Sequence, residues 1–161
     1  MSRFDNETRV SQSVLDRLID LEPRISTEPP KAQSASLAEL KQAVRRDLEW
    51  LLNTRCFFDA GDGGLEESIK SVAFFGLPDF TGVSAKSHIE QTRMTQAIEK
   101  AIKTFEPRFI NVKVSMEPLN NLDRMFKFRI EANLDIEPAP EPVVFDTVVQ
   151  MGSGNFAVKE A

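Results

Sequence analysis

Carboxylates in the middle of the chain are the first candidates for chemistry. Five of them fall in or beside two short loops: Asp59, Asp62, Glu66, Glu67 and Asp79. A glycosidase uses two carboxyl groups that flank a sugar, and one of them needs an apolar pocket that raises its pKa. Trp50 is the only Trp, and Tyr is absent, so rings on which sugars stack are scarce. The acidic residues therefore favour a solvated loop over a hydrolytic site.

Metal binding and nucleophilic catalysis depend on single residues here. His88 is the only histidine and Cys56 the only cysteine, so a Cys/His metal cluster cannot form within this chain. A Cys–His catalytic pair would need both residues to meet with an orienting third group, and no sequence feature indicates this. The segment GDGG lacks the lysine and the strand–turn–helix context of a phosphate-binding loop. We therefore predict no catalytic residue, no metal and no cofactor.

The tripeptide Glu-Pro-Arg occurs twice, at residues 22–24 and 106–108. In the second copy Pro107 fixes its own φ and disfavours the helical conformation in Glu106, so Glu106 and Arg108 are predicted to be displayed at a stiff bend. A stiff segment loses little entropy on binding, and an arginine can pair with a partner carboxylate through two hydrogen bonds. Two interpretations stay open from the residues alone: a docking site, or a helix stop with two solvent-exposed charges. The first copy is interpreted as coincidental.

Composition bounds the class of protein. The chain has 161 residues, of which 41% are apolar and 28% charged, and its net charge is −5. This length fits about one domain, and the acidic balance opposes a general nucleic-acid binder. The segment MSRFDNETRV is too polar for a signal peptide, and no apolar run approaches the roughly 20 residues that span a bilayer. A soluble cytoplasmic protein is predicted.

Two long amphipathic helices are predicted to precede the sheet, over residues 36–55 and 84–105. Each begins with a serine followed three residues later by a glutamate, a spacing at which each side chain can satisfy a free N–H of the other. These pairs are Ser36 with Glu39 and Ser87 with Glu90. The second helix must end near Phe105, because a proline follows shortly after.

The N-terminal part is predicted to be separate from the core. Residues 10–21 have helical apolar spacing, and the following segment STEPPKAQSAS is typical of a linker. Residues 1–35 are therefore predicted as a helical arm with a Pro-rich linker that packs only when a partner is present. Residues 36–161 are predicted as a single domain. Within it, LEESIKSVAFFG fits either a short helix that ends at a left-handed Gly76 or a strand.

After the second tripeptide the apolar period changes from 3.6 to 2. Residues 126–136 alternate strictly, and the predicted core face of the first strand consists of Ile110, Val112, Val114 and Met116. Such alternation is typical of strands with one buried and one solvated face. VVFDTVVQM and NFAVKE are predicted as the third and fourth strands. The fold class is therefore α+β, with N-terminal helices packed on a C-terminal antiparallel sheet of about four strands.

Three segments in this order resemble the TssE family, baseplate subunits of bacterial type VI secretion systems: LAELKQAVRRDLEWLLNTR, SVAFFGLPDFTG and AIEKAIKTFEPRFINVKV. The family is similar to a wedge protein of contractile phage baseplates and was historically labelled lysozyme-like. The resemblance runs from about Val10 to the end and is tightest from Leu37 to Val114. Phe75 stands where a tyrosine is expected more often.

The resemblance implies a non-enzymatic structural role at a cytoplasmic, membrane-docked baseplate, without nucleic acid or membrane insertion. Such subunits lie in the wedge with TssF, TssG and TssK, and form the platform from which the TssB/TssC sheath polymerises. The family's Glu-Pro-Arg motif is associated with docking on the baseplate core, so the resemblance assigns protein interaction to Glu106, Pro107 and Arg108. The family's sheet is similar to the sheath domain in which neighbouring chains share one sheet.

Strand sharing requires a sheet edge with unpaired N–H and C=O groups. We predict this edge within residues 143–159, because a terminal strand after a Gly-rich joint can adapt to a partner. Two alternative functions are kept. One is a peptidoglycan hydrolase, suggested by the historical label but opposed by the polar N-terminal segment and the scarcity of sugar-stacking rings. The other is a wedge subunit of a different contractile injection machine, such as a phage tail.

Overall fold

The computed structural model describes residues 13–19, 23–24, 33–56, 66–80, 87–117, 125–150 and 154–160. Helices come first and strands follow, as predicted. The helices are α1 Val14–Leu18, α2 Gln33–Asn53, α3 Glu66–Ile69 and α4 His88–Phe105, with one 3-10 turn at Val72–Phe74. The strands are β1 Phe109–Glu117, β2 Met125–Leu134, β3 Glu141–Gln150 and β4 Phe156–Glu160. None of the helices in these ranges combines the length and hydropathy needed to cross a bilayer.

The four strands form one antiparallel sheet in the order β1-β2-β3-β4. Helix α4 packs on β1, α2 packs on β4, and the two helices contact each other, so both lie against the same sheet. The predicted α+β fold is therefore confirmed. Strand β4 lies at an edge of the sheet, so the prediction of an edge within residues 143–159 is confirmed for β4. Strand β3, in the same range, is paired on both sides and is not an edge.

The core forms where the apolar stripes of α2 and α4 meet the inner face of the sheet. The helices contribute Leu40, Val44, Leu48, Leu51, Leu52, Met94, Ile98, Ala101 and Ile102, all buried. The sheet contributes the alternating residues of β2, as their period predicts: Phe126, Phe128, Ile130, Ala132 and Leu134. The rings of Phe109 and Phe145 meet edge to face, with centroids 6.1 Å apart. The predicted core stripes are thus confirmed for both helices and for β2.

Strand β1 departs from the predicted alternation at its first residues. Asn111 has a φ of 56°, and the pairing register with β2 shifts between Ile110 and Lys113. Asn is one of the few residues that accept a left-handed backbone. Because the bulge shifts the pleat, Phe109 is buried while Ile110 is only half-buried. Ile110 as a core residue was a wrong prediction, and Phe109 takes that place.

The helix boundaries differ in how well the sequence predicts them. Helix α2 begins at Gln33, so Ser36 lies inside its first turns and the predicted cap at Ser36 is wrong. Ser87 is the N-cap of α4, and its Oγ accepts a hydrogen bond from the N–H of Glu90 at 3.4 Å, as predicted. The predicted end of α4 at Phe105 is confirmed as well.

Gly76 connects the 3-10 turn to the end of α2. Its φ is +116°, and a Cβ placed on it would lie 2.4 Å from the carbonyl oxygen of Thr54. This close approach allows the N–H of Leu77 to donate to that carbonyl at 2.9 Å, and the N–H of Cys56 to donate to the carbonyl of Leu77 at 2.8 Å. Only glycine fits such a position. Of the two interpretations of LEESIKSVAFFG, the helical one is confirmed by α3 and the 3-10 turn.

Candidate docking corner

The second Glu-Pro-Arg tripeptide forms a turn between α4 and β1, which we call the corner (Glu106, Pro107 and Arg108). Glu106 leaves the helical conformation, with φ −120° and ψ 80°, because a proline follows it. The carbonyl of Glu106 accepts from the N–H of Phe109 at 3.2 Å, and the carbonyl of Arg108 accepts from the N–H of Asp135 at 2.9 Å. The corner is thereby fixed to the start of β1 and to the residue after β2.

Within the corner, Glu106 and Arg108 contact each other through two hydrogen bonds. The Nε of Arg108 donates to Oε1 of Glu106, and Nη2 donates to Oε2, each at 2.6 Å. Glu106 is only 5% exposed. The docking-site and the helix-stop interpretations of the tripeptide both predict exposed charges. For Glu106 this prediction is wrong. The assignment of the tripeptide to protein interaction stays a prediction.

Asp47 on α2 is the second carboxylate on Arg108. The Nη2 of Arg108 donates to its Oδ2 at 2.6 Å. Burial acts to lower the pKa of Arg108, but the hydrogen bonds and charges of Glu106 and Asp47 outweigh it and raise that pKa above its ordinary value. The guanidinium therefore stays charged and joins α2 to the corner.

The same carboxylate connects the corner to α1 in the N-terminal arm, so the prediction that the arm packs only when a partner is present is wrong for α1. Asp47 accepts from Nη2 of Arg46 at 2.9 Å, and the same nitrogen donates to Oδ1 of Asp16 at 2.8 Å. Ser13, the N-cap of α1, donates to Asp16 at 2.6 Å. Burial acts to raise the pKa of Asp16, but the bonds from Ser13 and Arg46 outweigh it and hold that pKa below its ordinary value. Charges of alternating sign thus run from the corner to α1, and we call them the charge chain: Glu106, Arg108, Asp47, Arg46 and Asp16.

A cavity of about 460 Å³ lies beside the corner. Its walls are mainly apolar and come from α1, α2, α4 and the segment after the 3-10 turn: Val14, Trp50, Leu51, Phe75, Phe105 and Pro107. The rings of Phe75 and Phe105 meet edge to face, with centroids 5.3 Å apart. Trp50 is 52% exposed, and the guanidinium of Arg46 lies 5.1 Å from its ring centroid. The site thus combines an open apolar surface with a fixed set of charges.

Comparison with known protein families identifies the family of this chain. Residues 38–139 match the family described as baseplate wedge protein gp25. The chain belongs to this family. The match covers well over half of the chain, including the corner, and confirms the resemblance carried by the three quoted segments. No curated protein and no solved structure matches the chain.

Membership of the gp25 family gives the chain a coarse function. Members are structural components of the baseplates of contractile injection systems, which contact other baseplate proteins. The corner and its cavity are therefore surfaces of an assembly protein.

The other candidate residues of this gp25-family chain do not form a comparable site. Cys56 donates from Sγ to the carbonyl of Ala73 at 3.8 Å, and the ring of His88 lies 3.4 Å from the hydroxyl of Thr92. Among the residues that the structure describes, no group of His, Cys, Asp and Glu is arranged to hold a metal ion.

The acidic loop and the first tripeptide are described only in part. Asp59, Asp62 and Glu22 lie outside the described residues. Glu67 is exposed and pairs with Lys70 at 3.6 Å, as a solvated acid does. Pro23 and Arg24 are both exposed in a turn, whereas in the second copy the arginine, Arg108, is half-buried.

The partners that α1 and α2 supply to the corner were not predicted from the sequence. Asp47 and Arg46 lie beside the apolar stripe of α2, where charges are usually solvated. Their one visible signal is that Asp47 directly precedes the buried Leu48 and so lies near the packed face. Spacing within α2 does not reveal a contact with a residue 61 positions away.

Proposed function

We propose that this chain is the TssE-type subunit of a type VI secretion baseplate in the bacterial cytoplasm. In this role it is a non-enzymatic protein that docks on a wedge core of TssF, TssG and TssK, and from which TssB/TssC sheath assembly starts. Membership of the gp25 family supports the baseplate role. The three quoted segments, SVAFFGLPDFTG above all, support the secretion branch. We also propose that residues 36–161 form the wedge domain, which α2 extends back to Gln33, and that the residues before this helix form the arm.

The observation that carries the docking proposal is the internal pairing of the corner. Because Arg108 is held by Glu106 and Asp47, the corner is rigid before any partner arrives, and little entropy is lost on binding. The partner then contacts the surfaces that these charges hold in place, namely the exposed Pro107, Trp50 and the cavity. A half-exposed Trp beside a pocket is a common anchor of protein interfaces.

The docking proposal is tested by capture of the wedge core. Purified TssF/TssG is expected to bind the native chain and to lose binding to Trp50→Ala and Arg108→Ala. The matched control is Ile89→Ala, an equally apolar truncation at a residue 82% exposed. It lies roughly 24 Å along α4 from Phe105 at about 1.5 Å per residue. Circular dichroism separates a lost surface from a lost fold. Native-level capture by both Trp50→Ala and Arg108→Ala would reduce the corner to a helix stop.

Strand sharing is proposed at β4, which is an edge of the sheet. Main-chain groups of Phe156 and Val158 contact α2 side chains instead of β3. Because these groups alternate in direction along a strand, those of Glu160 also point away from β3. Glu160 is an exposed residue at the end of β4, so we propose that an added strand meets its main-chain groups first.

A proline at Glu160 tests strand sharing with little cost to the core. Glu160→Pro removes an outward N–H and is expected to prevent TssB/TssC sheath assembly, while the unfolding midpoint stays near that of the native chain. Glu160→Ala is the matched control, because it removes the same side chain and keeps the N–H. Normal sheath assembly with the proline variant would contradict strand sharing at this edge.

The peptidoglycan-hydrolase alternative is weaker. Glu106 is buried and both of its carboxylate oxygens accept hydrogen bonds from Arg108, so they are not free to contact a sugar, and Glu67 is exposed beside Lys70. A cell-wall digestion assay with the purified chain, with Glu66 and Glu106 variants as controls, is expected to show no activity. A phage-tail relative, the second alternative, is distinguished by whether TssF/TssG is captured.

A further inference from the structure

The side chain of Asn53, the last residue of α2, pairs with β4 as another strand would. Its Oδ1 accepts from the N–H of Phe156, and its Nδ2 donates to the carbonyl of Phe156, both at 2.9 Å. A carboxamide carries one acceptor and a donor group in the arrangement of a peptide unit. Asn53 therefore satisfies both edge-facing main-chain groups of one residue of β4.

The Asn53 amide is itself held in place. Its Nδ2 also donates to the carbonyl of Glu49 one helical turn earlier, at 2.8 Å. With this bond, both amide hydrogens and the amide oxygen have partners within the chain. The pairing with Phe156 is therefore set in advance by the geometry of α2 and does not depend on a freely rotating side chain.

Other side chains of α2 and its C-terminal end follow the same edge. Arg55 donates to the carbonyl of Gly154 at 2.8 Å, just before β4 begins. Arg45 reaches the carbonyl of Val158 at the longer distance of 3.4 Å, and Lys41 lies 3.9 Å from the carboxylate of Glu160. The contacts that side chains from α2 and its C-terminal end make with β4 are thus short at the start of the strand and longer at its end.

The opposite edge of the sheet is irregular. Strand β1 carries the bulge at Asn111, and its pairing register with β2 shifts between Ile110 and Lys113. On β4, by contrast, the Asn53 amide bonds both main-chain groups of Phe156.

We propose that Asn53 is an edge cap: it occupies the main-chain groups of Phe156 and limits how tightly β4 accepts an added strand. This inference rests on the proposed strand sharing and names its regulation. The occupant is an extended segment of the sheath, which pairs first with the weakly covered Val158–Glu160 end and then displaces the Asn53 amide. Covered edges also protect a free chain from pairing with copies of itself.

The test compares TssB/TssC binding to the full chain with and without the cap. Asn53→Ala is expected to bind roughly tenfold more tightly, because two hydrogen bonds no longer have to be exchanged. Asn53→Asp keeps the acceptor and loses the donor, so it is expected to lie between the two. Gln42→Ala is the matched control, since it removes an exposed amide from the same helix.

A second measurement is independent of the sheath. Amide exchange of Phe156, followed by NMR, is expected to accelerate in Asn53→Ala, and sedimentation is expected to reveal self-association that the native chain and Gln42→Ala lack. Equal sheath binding by native chain and Asn53→Ala would overturn the edge cap while strand sharing stands. Sheath binding by none of the variants would instead overturn strand sharing itself. Unchanged exchange at Phe156 would show that Asn53 does not hold this amide.

Discussion

The carboxylate of Glu106 and the guanidinium of Arg108 face each other across a single proline, joined by two hydrogen bonds of 2.6 Å. In an extended backbone, the side chains of residues i and i+2 point to the same side but run parallel, so they seldom meet through two hydrogen bonds. The turn at Pro107 brings the two groups together. Asp47 then adds a second acid from α2, so the tripeptide fixes the relative position of two helices and a strand.

Loss of the Glu106 carboxylate is expected to destabilise the fold strongly. Glu106→Ala leaves Asp47 as the one carboxylate bonded to the Arg108 guanidinium. Breaking a buried ion pair by removing one partner lowers the free energy of unfolding by about 3–5 kcal/mol. Denaturant titration measures this loss. The control is Glu49→Ala, which breaks the half-exposed pair with Arg45 and is expected to cost less than about 1 kcal/mol. Similar small losses in both variants would contradict the structural role of Glu106.

Docking of α1 is expected to depend on pH through Asp16. Its pKa is lower in the folded chain than in the unfolded one. The contribution is therefore present above the unfolded value of about 3.9, and is lost as the pH falls through the lower folded value. Trp50 is the only tryptophan and lines the cavity with Val14 of α1, so its fluorescence reports whether α1 is docked.

The measurement is the Trp50 emission maximum as a function of pH, with far-UV circular dichroism recorded in parallel. The native chain is expected to change emission below about pH 4 before its helix signal is lost. Asp16→Asn cannot carry the charge, so it is expected to show the undocked emission already at neutral pH. Identical emission curves for the two chains would refute this function of Asp16.

Periodicity made most of the fold predictable, because each apolar stripe has only one way to be buried. The stripes of α2, α4 and β2 reached the core as predicted. The features of the sheet that periodicity did not predict depend on contacts distant in sequence. Phe109 replaced Ile110 because a bulge is set by pairing with β2, and Asn53 is an edge cap only because β4 lies beside it.

The position of the candidate site was predictable from the sequence, but the burial and the partners of its charged side chains were not. Pro107 indicates a rigid turn from local rules alone, and the turn is present. Whether Glu106 faces solvent depends on Asp47, which lies 59 residues earlier and bonds to the same arginine. Charge alternation between separate elements leaves no periodic pattern in a sequence, so the charge chain is visible only in the three-dimensional structure.

Gly76→Ala is expected to lower the free energy of unfolding by at least about 2 kcal/mol, since strain and a steric clash act together. The alanine would have to adopt a φ of +116°, and its Cβ would lie 2.4 Å from the carbonyl oxygen of Thr54. Thermal and denaturant unfolding measure the loss. Val72→Ala, at a residue 89% exposed four positions earlier, is the control and is expected to change stability by less than about 0.5 kcal/mol. A fully stable alanine variant would mean that the link between Leu77 and the end of α2 can be remodelled.

Thr147→Val is expected to stabilise the chain by about 1 kcal/mol. Thr147 lies in the middle of β3 with 1% of its surface exposed, and its Oγ1 has no hydrogen-bond partner within the described part of the chain. Valine keeps the shape and the β preference while removing a hydroxyl whose desolvation is uncompensated. Thr147→Ala is the matched control: it removes the same hydroxyl but also a methyl group, so the resulting cavity should make it less stable than Thr147→Val. The denaturant midpoint orders the three chains. A midpoint for Thr147→Val below that of the native chain would show that the hydroxyl is bonded in solution, and would place a polar contact inside the sheet's core face.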